Sequence, residues 1–110
     1  MNHLQIWCSL KAGGNEREFA ANVRELLGYL HEREHIEGYT LTRRAFVVAP
    51  PALGEFQITI DFADLAQINR TFALMAAADG EMEPLHQAVR EMVHGVSVGM
   101  WRDYPEKPKS

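Results

Sequence analysis

The chain has 110 residues, 46% of them hydrophobic, 24% charged and 9% aromatic, with a formal net charge of −4 and a single cysteine. This length supports one domain and leaves no room for a second core; the longest apolar run, Phe72 to Ala78, falls far short of a bilayer span, and no membrane partner is expected. The acidic balance, with no basic cluster beyond Arg43-Arg44, excludes the electrostatic footprint of a nucleic-acid binder. A lone Cys8, and an N-terminus (Met-Asn-His-Leu-Gln) without the pattern of a secretory signal, point to a reducing, cytoplasmic setting.

Leu4, Ile6, Cys8 and Leu10 alternate with Gln5, Trp7 and Ser9, the period of a strand with one buried face. Gly13-Gly14 ends it, and Asn15 with Glu18 three residues on has the form of a helix cap. Phe19, Val23, Leu26, Leu27 and Leu30 then recur at helical spacing, which predicts a first helix ending near His35. Tyr39 to Val48 is rich in β-branched and aromatic residues and reads as a second strand, closed by a loop over residues 49 to 54 that holds Pro50-Pro51. Phe56, Ile58, Ile60 and Phe62 give the clearest alternation in the chain, a third strand. Asp64 with Gln67 offers a second cap, followed by Leu65, Ile68, Phe72 and Met75 at helical spacing. Asp79-Gly80 interrupts this helix and Pro84 suits its resumption, with Leu85, Val89, Met92 and Val93 on one face. Val96, Val98 and Met100 alternate with Ser97, Gly99 and Trp101 as a fourth strand. Residues 1–104 are thus one domain, and 105–110 read as a flexible tail.

The order β-α-β-β-α-β, with right-handed crossovers, folds most simply as a four-stranded antiparallel sheet in the order 4-1-3-2 with both helices on one face, the α+β ferredoxin-like fold. The face away from the helices then carries Trp7 and Trp101, and a second strand reaching Val48 adds Phe46. Large aromatics are costly to leave in water. These residues, with the apolar stretch from Ala45 to Leu53, predict a two-fold homodimer that buries sheet against sheet with Trp7, Phe46 and Trp101 in its interface. The plain alternative is a monomer with a mildly amphipathic face.

The span from Leu4 to Tyr104, with its short first strand, its second strand leading into a long loop and the step Phe62-Ala63-Asp64-Leu65 from strand to helix, resembles the dimeric α/β-barrel superfamily. It is most similar to small bacterial members related to antibiotic biosynthesis monooxygenase-like proteins. The resemblance implies a homodimer of two 110-residue chains and, in enzymatic members, a small-molecule cleft between helices and sheet in each subunit, with cofactor-free oxygenation or isomerisation as the reaction class. No cofactor is implied. Haem-degrading relatives use an asparagine on the first strand, a tryptophan ending the third and a histidine on the second helix; Phe62 and Phe72 stand at the latter two positions, and Asn2 and His86 lack that company.

His31-Glu32-Arg33-Glu34-His35 matches the H-E-x-x-H pattern of zinc peptidases, but no third ligand is evident and the motif sits at a helix end. A solvated, charged helix terminus is the expectation, and no metal site is predicted. Asp79, Glu81 and Glu83 lack the spacing of a calcium loop, and Cys8 falls on a buried strand face, where a thiol is inert. What remains is a cleft between sheet and helices. Tyr39 and Arg43 share the helix-facing register of the second strand, and His86 edges the apolar stripe of the resumed helix. Together they would orient an aromatic or carboxylate-bearing small molecule, with Arg43 as charge partner and His86 as proton acceptor. The alternative is ordinary packing: Tyr39 at the sheet edge, Arg43 paired with a helix glutamate, His86 a satisfied boundary residue. A rival from another class is a non-catalytic protein–protein interaction module that meets its partner through the dimer surface or the Pro50-Pro51 loop.

Overall fold

A computed structural model of the chain describes residues 1–46, 50 and 53–105. Seven elements follow in order: β1 (Asn2–Leu10), α1 (Glu16–Glu32), β2 (Gly38–Arg43), β3 (Phe56–Phe62), α2 (Leu65–Ala77), α3 (Met82–Arg90) and β4 (Val93–Arg102). The strands form one antiparallel sheet in the order β2-β3-β1-β4, the ferredoxin-like arrangement that the alternation predicts. Both expected caps form. Asn15 Oδ1 accepts from the amides of Arg17 and Glu18, and Asp64 Oδ1 accepts from the amide of Gln67 at 2.8 Å.

The core lies between the helices and the middle of the sheet. Phe19, Val23, Leu26, Leu27 and Leu30 of α1 are buried with Phe56, Ile58, Ile60 and Phe62 of β3, and the Phe19 and Phe56 rings meet at 4.9 Å in a tilted pair, a favoured aromatic geometry. Helix α1 ends at Glu32 and Glu34 takes a left-handed φ of 60°. Buried Gln67 fixes this turn from α2: its Nε2 donates to the Glu34 carbonyl and the Glu37 carboxylate, and its Oε1 accepts from the Ala63 amide.

Three expected boundaries change. The second strand stops at Arg43 rather than Val48; Phe46 has a left-handed φ of 58° and is 90% exposed, a conformation that cannot continue a strand. Residues 47–49, 51–52 and 106–110, which hold most of the expected apolar loop and the tail, lie outside the described residues. The break expected in the second helix is complete, giving two helices. Val93 belongs to β4 rather than to the helix face, because the β1–β4 register shifts between Trp7 and Ser9 opposite Gly95, whose φ is 62°. A bulge with a left-handed glycine inserts one extra residue, so Val93 and Val96, three apart, both face the helices.

One glycine is fixed by close approach. A Cβ on Gly54 would fall 2.8 Å from the Cα of Cys8 and nearer still to that residue's carbonyl group, and Cys8 is held in the β1–β3 ladder opposite Phe56. Gly28, inside α1, has open space at the same position. Gly54→Ala is therefore expected to cost about 1–3 kcal/mol, whereas Gly28→Ala should add about 0.5–1 kcal/mol; urea midpoints of the two variants moving in the same direction would contradict this account.

Candidate functional site

Two regions of the molecule carry chemistry, one on each face of the sheet. On the helix side, the layer of helices leaves β4 uncovered. Val98 and Met100 pair with Ile6 and Leu4 of β1 and Val96 lies on the same side, yet Val96, Val98 and Met100 are 55%, 65% and 44% exposed. Between this strip, α1 and α3 lies a cleft of about 210 Å³ whose walls are almost wholly apolar. Its floor includes Ile6 and Cys8; burial pushes the Cys8 thiol up, which keeps it protonated and unreactive.

The polar contribution to this cleft comes chiefly from α3. His86 and Arg90, one turn apart, both line it. Arg90 Nη1 lies 3.0 Å from His86 Nδ1, and Arg90 Nη2 donates to Glu83 Oε1 at 2.8 Å. A guanidinium has only donors, so Nδ1 of His86 is the acceptor in this pair. Burial first, and the Arg90 charge second, hold the imidazole below its ordinary titration range, so His86 is neutral near pH 7.

The expected trio is not assembled. Tyr39 and Arg43 do face the helix side, paired with Ile60 and Phe56, but β2 and β4 are opposite edges of the sheet, and neither residue lines the cleft that holds His86. Tyr39 packs against the core at its edge, and Arg43 forms an ion pair with Glu16 at 3.0 Å. The cation beside His86 is Arg90. Its four-residue spacing from His86 is the sequence signal for that contact. The H-E-x-x-H segment does not form a helical pair either: α1 ends between its histidines, and among the described residues no group of three or more His, Cys, Asp or Glu is placed to hold a metal ion.

The other face of the sheet carries the second region. Trp7 and Trp101 converge over Gly99, whose Cβ position lies 3.7 Å from the Trp7 ring and 3.6 Å from Trp101 Nε1. Trp101 is 59% exposed. Phe46 lies beyond the end of β2 and does not extend this face. Gln5 Oε1 accepts from both Gln57 Nε2 and Thr59 Oγ1, so the polar groups between the aromatics are already paired. Beside Trp101, His3 bridges two carboxylates, with Nδ1 2.6 Å from Asp61 Oδ1 and Nε2 2.6 Å from Asp103 Oδ1. Both partners are acceptors, so both ring nitrogens donate and the ring is an imidazolium. The hydrogen bond to Asp103, then that to Asp61, raises the His3 pKa; in return the hydrogen bond from His3, and then the N-terminal amine 3.3 Å away, lower that of Asp103.

The whole chain, residues 1–110, matches the model of a family described as of unknown function, DUF6614. No curated protein matches it significantly in sequence. Among solved structures, the Arabidopsis thaliana protein At3g17210 superposes with a TM-score of 0.78 at 7% identity over 98% of this chain and 100% of its own. A dimeric ferredoxin-like protein of unknown function from Jannaschia sp. gives 0.69 at 8% identity over 93% and 98%. SnoaB, a cofactor-independent oxygenase from Streptomyces nogalater, gives 0.58 at 12% identity over 98% and 95%. At these identities the likeness is one of fold. Among the described residues no helix is long and apolar enough to cross a membrane.

The His3 bridge has a definite pH signature. A group whose pKa is raised by folding stabilises fully below its unfolded value, near 6.5, and loses that contribution as pH rises through the folded value. Asp103, lowered by folding, contributes at neutral pH and loses its contribution as pH falls through its lowered value. The stability difference between wild type and His3→Gln is expected to shrink as pH rises above the ordinary histidine value and through the raised pKa of His3. A difference that stays constant across that range in urea titrations would show that the bridge does not titrate in the folded protein.

Proposed function

The chain belongs to the family of unknown function DUF6614, and we propose that it acts as a homodimer that binds a small, largely apolar organic molecule in the cleft of each subunit. The observation that carries this reading is the cleft itself: an apolar pocket of about 210 Å³ between helices and sheet, polar mainly at its α3 end. Small-molecule sites have this composition, an apolar wall with few placed polar groups. An engineered apolar cavity of roughly 150 Å³ already takes up benzene, so the volume suits a body of one or two rings. If the bound molecule is transformed, oxygenation or isomerisation without a cofactor is the reaction class favoured; SnoaB, which shares the fold, is described as a cofactor-independent oxygenase.

Dimerisation is the second part of the proposal. Trp7 and Trp101 form an aromatic patch on the sheet face that the chain's own helices leave bare, and the fold neighbour from Jannaschia sp. is described as dimeric. Sheet-to-sheet packing would remove both indoles from water. A non-catalytic interaction module is the second reading, favoured by one observation: Val96, Val98 and Met100 stay exposed on the helix side of β4, where a dimer built on the other face leaves them bare.

Light scattering on the purified chain is expected to give twice the 12.5 kDa of one chain, and Trp101→Asp to return it to the single-chain mass while it remains folded by circular dichroism. A wild-type protein of single-chain mass at micromolar concentration would remove the dimer. Saturating naphthalene is expected to raise the melting temperature of wild type; no shift with naphthalene would count against the cleft as an apolar binding site.

A further inference from the structure

We infer that His86 presents an Nε2–H donor to the cleft and that the molecule bound there carries an anionic or strongly polarised oxygen, a carboxylate, phenolate or enolate, at its α3 end. This rests on the cleft being a small-molecule site, and it specifies what the polar end of that site recognises. The argument runs through three side chains of α3. Glu83 Oε1 holds Arg90 through Nη2, and Arg90 Nη1 then occupies Nδ1 of His86. In a neutral imidazole with Nδ1 accepting, the proton resides on Nε2. His86 is thereby barred from acting as a base toward the cleft, because Nδ1 is engaged and Nε2 already carries hydrogen. It is a donor of fixed polarity, backed by a guanidinium that also lines the cleft.

The surroundings sharpen the preference. The remaining lining of the cleft is apolar apart from Thr71, whose hydroxyl donates to the His35 carbonyl at 2.6 Å and is therefore committed. A ligand oxygen placed against His86 meets an N–H donor polarised by the Arg90 guanidinium, itself held by Glu83, and hydrogen bonds to charged acceptors are the stronger ones. An entirely apolar ligand leaves that donor unpaired, and a cationic ligand meets Arg90. Arg90 acts as a positioning residue: it sets which nitrogen of His86 bears the proton.

Two measurements test this. Nitrogen NMR of ¹⁵N-histidine-labelled protein is expected to show His86 with an unprotonated Nδ1 and a protonated Nε2 near neutral pH, and Arg90→Gln to shift that balance; the opposite tautomer in wild type overturns the inference. Calorimetric binding then compares 1-naphthoate with naphthalene. Wild type is expected to bind naphthoate about tenfold or more tightly than naphthalene, His86→Leu to lose the difference while keeping naphthalene affinity, and His86→Gln, which retains an N–H donor, to recover part of it. Equal affinity for the two probes in wild type overturns the donor role and leaves the apolar cleft standing. Failure of both probes to bind overturns the cleft as a site and the inference with it.

Discussion

The contact on which the rest of the molecule depends is the seating of α1 on β3, where Phe19 meets Phe56 and the α1 stripe closes over Ile58 and Ile60. Strands lie about 4.8 Å apart and packed helices about 10 Å apart, so two full-length helices would just span four strands. This chain does not supply two. Its second helix ends at Ala77, Ala78 takes a left-handed φ of 51°, and α3 restarts at Met82 and packs against α1. The helical layer is thus drawn toward β2 and β3, and β4 keeps its inner side exposed. The cleft is a direct consequence of that shortfall in cover.

The far face of the sheet follows a different rule. Among the described residues no helix reaches it, so its side chains must satisfy one another. Gln5, Gln57 and Thr59 do so through a shared oxygen, and His3 does so by neutralising Asp61 and Asp103. With the N-terminal amine beside Asp103, the local charge sums to zero while His3 is protonated. A face with paired polar groups and two converging indoles can be taken out of water at far smaller cost than one with bare carboxylates. Deprotonating His3 leaves a net negative cluster there, so the charge state of one imidazole bears on both the fold and whatever packs against this face.

Periodicity made most of the fold legible, because alternation in β1 and β3 and the α1 stripe reflect burial that one layer of helices imposes. It failed where geometry is set by single backbone conformations. The left-handed Phe46 stops β2, the Gly95 bulge moves Val93 into β4, and the left-handed Glu34 separates His31 from a helical partner. The candidate site was legible only in part for a related reason. Register places Tyr39, Arg43 and His86 on one side of the sheet, but it carries no information about distance across it, and three strand spacings of about 4.8 Å separate β2 from β4. His86 and Arg90 were both visible at a four-residue spacing; what the sequence does not show is that the helix bearing them borders an uncovered strand.

The division of labour within the cleft limits the chemistry it can favour. Its thiol is held protonated by burial and its imidazole has a proton fixed on the nitrogen opposite Arg90, so the groups at hand stabilise negative charge on oxygen and do not abstract protons. A ligand that ionises readily on its own, losing a proton to solvent and placing charge on an oxygen against His86, would find that charge stabilised and the rest of its body shielded by Ile6, Val89 and Val98. Catalysis in such a site would come from differential binding of the charged form. Recognition of the neutral form would rest on apolar shape alone, which makes the length of the cleft, from α3 to the exposed side of β4, the determinant of which molecules it admits.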